Sequence, residues 1–244
     1  MDYAVQLYSV RDALEEDLEH TITRLAEIGF TRAEPYSFVA RATELNAALR
    51  SAGITPVSGH APFLSTPLEP IFKAAEQLGM HTVIDPYVPP ERWTTLSDIE
   101  HTANLMNAAQ NTASQHGLRV GYHNHDFEIS TIIDGRTALE HFVEFLHPAV
   151  VLEIDAFWVT VGGKNPAEYI TTLGDRVRLM HLKDGPLSHD TKTQRPAGQG
   201  DMNITAAIHA APHLELGIVE FDDYTGDIFD GLAQSLRFLE AHDT

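Results

Sequence analysis

At 244 residues the chain is long enough to bury roughly three quarters of its unfolded surface, and its 43% hydrophobic, 21% charged composition is that of an ordinary globular protein. Its 16 basic against 35 acidic residues leave a formal charge of −19, which repels a phosphate backbone and argues against nucleic acid as a partner. The absence of cysteine excludes disulfides and thiolate–zinc clusters. No apolar run approaches the ~20 residues of a membrane span, and MDYAVQLYSV lacks the regions of a signal peptide, so the expected compartment is the cytoplasm, with no membrane contact.

Along the chain one pattern recurs: an amphipathic helical stretch, a turn residue, then a short apolar strand that ends in polar residues. Strands are predicted at 3–8, 32–36, 55–60, 82–86, 119–125, 150–155, 177–183 and 216–222. Between the first two, Leu14, Leu18, Ile22, Leu25 and Ile28 recur at three and four and place one apolar face against a sheet. Gly29, Gly53 and Gly79 stand where a helix C-cap needs positive φ. Strict alternation implies parallel strands joined by crossovers, and eight such units in this length suit a closed α/β barrel, a single (β/α)8 TIM barrel over residues 1–244. The stretch 185–202, with Pro186, Pro196, Gly198 and Gly200, reads as an active-site loop after the seventh strand that overhangs the rim as a lid.

Polar residues gather at the predicted strand ends: His60, then Tyr122, His123, Asn124 and His125, then Glu153 and Asp155, His181 and Lys183, and Glu220 and Asp222. Strand alternation puts His123 with His125, Glu153 with Asp155, His181 with Lys183 and Glu220 with Asp222 on shared faces. If those faces point inward they converge at one rim. A mixed imidazole and carboxylate site suits zinc, manganese, cobalt or iron better than calcium, and four protein ligands leave room for a substrate.

Six blocks carry a family resemblance: VQLYSVRD at 5–12, YHNHDFE at 122–128, IDAFWV at 154–159, HLKD at 181–184, GQGD at 198–201 and VEFD at 219–222. In order and spacing they resemble the sugar phosphate isomerase/epimerase family, the xylose isomerase-like TIM barrels, over nearly the whole chain. The resemblance implies a divalent metal held by Asp155, His181 and Glu220. His123 stands as fourth ligand where many relatives carry glutamate, with His125 and Glu128 as the other candidates for that place. In the family's ketose 3-epimerases the strand-five and strand-eight glutamates form an acid/base pair. Only Glu220 is clearly placed here, so one-base isomerisation or elimination of water gains weight, as in the related inosose dehydratases.

The expected activity is isomerisation or epimerisation of a sugar or keto-sugar by α-proton abstraction through a metal-stabilised enediolate. The alternative is a dehydratase or lyase acting on a keto-polyol or keto-glycoside. Glu220 is the expected base, Lys183 the partner of the developing oxyanion or a rim salt bridge to Asp155 or Asp184, and His125 or His60 the group that returns a proton. Gln6, Glu34, His60 and Trp158 are candidate substrate contacts, with Tyr8 and Phe63 as further rim aromatics; Phe127 and Phe157 read as core. An endonuclease of the same superfamily, disfavoured by charge, and a non-catalytic sugar-binding barrel rank below. No glycine-rich anion nest follows the seventh or eighth strand, so a neutral sugar is preferred over a phosphorylated one. Oligomeric state is left open, a homodimer included.

Overall fold

The computed structural model describes residues 1–242, a ring of parallel strands wrapped in helices. In chain order the strands are Tyr3–Gln6 (β1), Arg32–Glu34 (β2), Thr55–Pro56 (β3), Ser58–His60 (β4), Thr82–Asp85 (β5) and Arg119–His123 (β6). A small antiparallel hairpin, Ile132–Ile133 (β7) with Arg136–Thr137 (β8), lies outside the ring. Val151–Asp155 (β9), Val177–Leu182 (β10) and Leu216–Val219 (β11) complete it. The sheet order is β3-β2-β1-β11-β10-β9-β6-β5-β4. β3 and β4 are two pieces of the third predicted strand, parted at Val57. The first pairs with β2 and the second with β5. Across the seam the His60 amide donates to the Pro35 carbonyl at 2.8 Å and the Val57 amide to that of Ala33 at 3.3 Å. The ring therefore has eight staves, the (β/α)8 barrel that the alternation predicted.

Several strands stop earlier than the hydrophobic pattern suggests. β1 ends at Gln6, whose side chain accepts the Tyr8 amide at 3.1 Å and starts a 3-10 turn over Leu7–Val10. His125, Lys183, Glu220 and Asp222 likewise lie just past their strands, where the chain leaves the ladder at the rim. The helical run from Leu14 to Ile28 is two helices, Arg11–Glu16 and Leu18–Ile28. Asp17 divides them, because its carboxylate takes the His20 amide at 3.0 Å and caps the second. Gly29, Gly53 and Gly79 have φ of 120°, 73° and 75° as helix ends require. The unforeseen hairpin turns on Asp134 and Gly135, both at positive φ, an Asp-Gly pair of the kind that favours such turns.

Inside the ring, alternation sorts side chains into layers. Ala4, Ile84, Val151, Leu179, Leu216 and Ile218 pack as an apolar layer toward the N-terminal ends of the strands. Gly121 belongs to the same layer, where a Cβ would stand 2.6 Å from Ile84 Cδ1 and 2.9 Å from Val151 Cγ2, so no larger residue fits. The next inward positions, toward the strand C-termini, are polar and buried: Gln6, Glu34, Ser58, Glu153 and His181. On the outer face Ile22, Leu49, Phe72, Ile99, Phe142 and Leu236 pack the helices against the strands.

The 185–202 segment is anchored at its root. The buried Asp184 carboxylate accepts the amides of Gly185 (2.8 Å), Gly198 (2.8 Å), Gly200 (3.1 Å) and Met202 (3.0 Å). Among the described residues no helix is long and apolar enough to cross a membrane.

Candidate metal centre

Asp155 closes β9 and also caps the helix Ala156–Val161, its Oδ1 accepting the Trp158 amide at 3.0 Å. Asn124 braces the same turn, accepting the Asp155 amide at 3.0 Å and donating to its carbonyl at 3.4 Å. These bonds leave Asp155 Oδ2 buried, with no hydrogen bond of acceptable geometry. It lies 2.8 Å from Lys183 Nζ and 3.8 Å from His123 Nε2. Strand register sets His181 beside Asp155 and His123 beside Glu153. Glu220 follows β11 and brings Oε2 to 2.6 Å from His181 Nδ1 and 2.7 Å from Lys183 Nζ.

Lys183 thus stands among three carboxylates, the third being Asp222 Oδ1 at 2.7 Å. Asp222 is held in turn by Gln194 of the long loop, which donates from Nε2 to Oδ2 at 2.7 Å and accepts the Asp222 amide at 2.8 Å. Below this set, Glu153 Oε1 lies 2.6 Å from His60 Nε2, 3.1 Å from His123 Nδ1 and 3.1 Å from His181 Nε2. Glu34 Oε1 lies 2.9 Å from His181 Nε2 and 3.1 Å from His60 Nε2, and accepts Gln6 Nε2 at 2.9 Å. Its other oxygen takes the Ser58 hydroxyl.

Burial opposes every charge in this network, and the neighbours decide which groups keep theirs. Burial alone would neutralise His60, but Glu34 and Glu153 lift its pKa to about 10. His181 is likewise pulled down by burial and carried well above the usual imidazole value by Glu153 and Glu220. His123 goes the other way: burial and the charged His181 push it well below. Burial raises Asp155 despite Lys183, whereas Lys183 and His181 overcome burial at Glu220 and hold it well below the carboxylate range. Lys183, buried among its three acids, is raised well above the usual amine value.

A cavity of about 320 Å³ opens over the centre, lined by Tyr8, Tyr36, Ser37, His60, Pro62, Pro86, Tyr87, His123, His125, Lys183, Glu220 and Asp222. Of the residues singled out in the sequence, Glu220, Asp222, Lys183, His125, His60, His123 and Tyr8 therefore reach the cavity. Gln6, Glu34, Asp155 and His181 do not line it; all four are wholly buried, Glu34 against the imidazoles and Gln6 behind Glu34. Trp158 also stands off the lining, its ring 5.8 Å from Lys183 Nζ. Phe63 and Phe157 are core residues, and Phe127 stacks on His125. Lys183 pairs with Asp155 but not with Asp184, whose oxygens are taken by the loop amides. Glu128 is fully buried, accepting the Tyr122 hydroxyl at 2.6 Å and the His125 amide at 2.8 Å.

The donor atoms suit a divalent ion. One ligand atom each from Asp155, His181 and Glu220 lie within 4.8 Å of one another, all buried. Asp155 Oδ2 already faces one cation, the Lys183 ammonium at 2.8 Å. With His123 Nε2 nearby the set is two imidazoles and two carboxylates, a combination able to bind a transition metal. His60, His123, Glu153 and His181 form a second buried grouping of the same compactness.

Sequence reasoning noted Glu153 without seeing that one of its oxygens meets three imidazoles; its in-phase position two residues before Asp155 was the available signal. Tyr36, Tyr87 and Gln194 were missed. Tyr87 and Gln194 sit on loops, where no periodicity reports which way a side chain faces, whereas Tyr36 closes the second predicted strand in phase with Glu34 and bridges to His60.

An α/β barrel with a carboxylate–imidazole centre at the C-terminal rim defines the class. The chain belongs to the xylose isomerase-like TIM barrel family, whose model matches residues 22–242. A sugar phosphate isomerase/epimerase from Parabacteroides distasonis superposes with a TM-score of 0.83 at 21% identity, over 98% of this chain and 93% of that one. The IOLI protein, solved with a bound zinc atom, superposes with a TM-score of 0.77 at 13% identity, over 100% and 98%. The inosose dehydratase of Geobacillus kaustophilus is 28% identical over 111 residues, 43% of this chain and 34% of that protein. The match thus spans about a third of that relative's length.

Proposed function

We propose that the protein is a divalent-metal-dependent isomerase or epimerase of a sugar or keto-sugar. His123, Asp155, His181 and Glu220 hold the metal (manganese, zinc, cobalt or iron), and Glu220 abstracts a proton α to the substrate carbonyl. The observation that carries this reading is the convergence of Asp155, His181 and Glu220, of which Glu220, with His123, lines a cavity of about 320 Å³, a volume in the range of small-ligand sites. A divalent ion held by these residues would supply Lewis acidity at a carbonyl and its neighbouring hydroxyl, making the C–H of the hydroxyl-bearing α carbon more acidic.

The chain's own groups do the rest. Glu220 Oε2 faces His181 and Lys183, which leaves Oε1 to take the proton. Lys183, positioned by Asp222 and through it by Gln194, donates to the oxyanion as it forms. His60 and His125, both at the cavity wall, are the groups that return a proton from another side. Tyr8, Tyr36 and Tyr87 give apolar ring surface for the C–H face of a sugar. Lys183 is the single lysine or arginine in the lining, and three carboxylates already surround it, which favours a neutral substrate over a phosphorylated one and weighs against an endonuclease.

A dehydratase acting on a keto-polyol is the second reading. It is favoured by the partial match to inosose dehydratase and by His123 in place of a strand-five glutamate, since elimination of water begins with the same α-proton abstraction. Both are tested by elemental analysis of purified protein, then by solvent deuterium uptake at carbon with ketoses, inososes and keto-glycosides. Exchange with at least one is expected, and product analysis separates the two readings. No exchange with any of them by the metal-loaded protein removes the enediolate mechanism.

A further inference from the structure

A histidine that binds a metal through one ring nitrogen carries its proton on the other, and the partner of that N–H decides which nitrogen is free to coordinate. His123 and His181 each turn one nitrogen toward the rim and the other into the barrel. Nε2 of His123 is the rim nitrogen, 3.8 Å from Asp155 Oδ2, and Nδ1 of His181 is its counterpart, 2.6 Å from Glu220 Oε2. Glu153 Oε1 lies 3.1 Å from both inward nitrogens; it is the hydrogen-bond partner of His123 Nδ1, whereas His181 Nε2 bonds Glu34 Oε1 at 2.9 Å. Glu153 is wholly buried and its Oε2 has no hydrogen-bond partner.

The lower grouping of His60, His123, Glu153 and His181 is itself compact enough for a second ion. Two metals at once, however, would need both nitrogens of His123 and of His181, that is, two imidazolates. Two buried carboxylates, Glu153 facing His123 Nδ1 and Glu34 facing His181 Nε2, satisfy the same geometry without that cost. We infer that Glu153 is a positioning residue of the metal centre: it holds the inward N–H of His123 and so presents His123 Nε2 to the ion, while Glu34 takes the inward N–H of His181. This rests on the metal reading above. It also explains how a histidine serves at position 123, because its cross-strand neighbour in the β6–β9 register is Glu153.

The first test needs no substitution. Long-range proton–nitrogen NMR correlation on the metal-free protein reads the tautomer of His123 directly. A proton on Nδ1 is expected, and a proton on Nε2 overturns the inference. In Glu153→Gln the acceptor-only carboxylate becomes an amide that can donate or accept, so the His123 tautomers mix and metal affinity falls ~10- to 100-fold, with one ion per chain still bound at saturation. Unchanged affinity and an unchanged tautomer overturn it. So does complete loss of metal in Glu153→Gln with retention in Asp155→Asn, which makes Glu153 a ligand. A wild-type protein that binds no metal removes the underlying reading as well, whereas wild-type binding with an indifferent Glu153→Gln removes the positioning role alone.

Discussion

The two interior layers of the barrel are built from the same strands and the same alternation, yet they do opposite things. In the lower layer Ala4, Ile84, Val151, Leu179, Leu216 and Ile218 exclude water and stabilise by burial. Two residues further along, the inward positions become Gln6, Glu153, His181 and Glu220, and this layer pays desolvation that only mutual pairing offsets. The contrast teaches that a barrel of this kind keeps its stability and its chemistry in separate storeys. Substitutions in one should leave the other's property nearly intact.

The sharpest break is expected at the upper layer. Asp155→Ala and His181→Ala should each release most of the bound metal, read by elemental analysis, while the chain stays folded because Lys183 keeps Glu220 and Asp222 as partners. Full occupancy in both variants would mean that the centre lies elsewhere, and unfolding of both would erase the separation of storeys. In the lower layer, Leu179→Ala should cost about 2–5 kcal/mol in urea unfolding, through lost burial and the cavity left behind. Its folded fraction should bind metal as the parent does.

Asp85 tests a boundary between the two. It closes β5, is 1% exposed and accepts the amides of Leu64 at 2.8 Å and Tyr87 at 3.2 Å. Burial lifts its pKa from 3.8 to about 7 against those amides. The folded chain therefore keeps a proton that the unfolded chain has already released between these values, so stability falls as pH rises from about 4 through about 7. The loss is on the order of 4 kcal/mol. Asp85→Asn should remove this part of the slope, seen as a smaller gap between urea midpoints at pH 5 and pH 8 than in the parent; an unchanged gap would count against the shift. The smallest effect is expected at Asp184→Asn, where the amide offers one accepting oxygen in place of two and turns an NH2 donor toward loop N–H groups. It should destabilise by about 1–3 kcal/mol and raise hydrogen exchange at Gly198 and Gly200 while leaving metal content unchanged.

The sequence by itself determined the barrel: eight helix–strand units, glycine at helix ends and polar residues at strand ends follow from local periodicity and backbone preference, and the structure arranges them as that pattern requires. It also determined that Glu153 and Asp155, His181 and Lys183, and Glu220 and Asp222 pair on shared strand faces, because phase within one strand is a property of spacing alone. Only the tertiary structure decided that the third stave breaks at Val57, that Gln6 and Glu34 lie beneath the cavity and not on it, and that Lys183 sits among three acids. It alone brought Tyr87 and Gln194 to the site from loops. The meeting of His60, His123 and His181 at one oxygen of Glu153 is of the same kind. Residues 60, 123, 153 and 181 lie on four different strands, and their distances depend on how the closed ring staggers those strands, which no local pattern encodes.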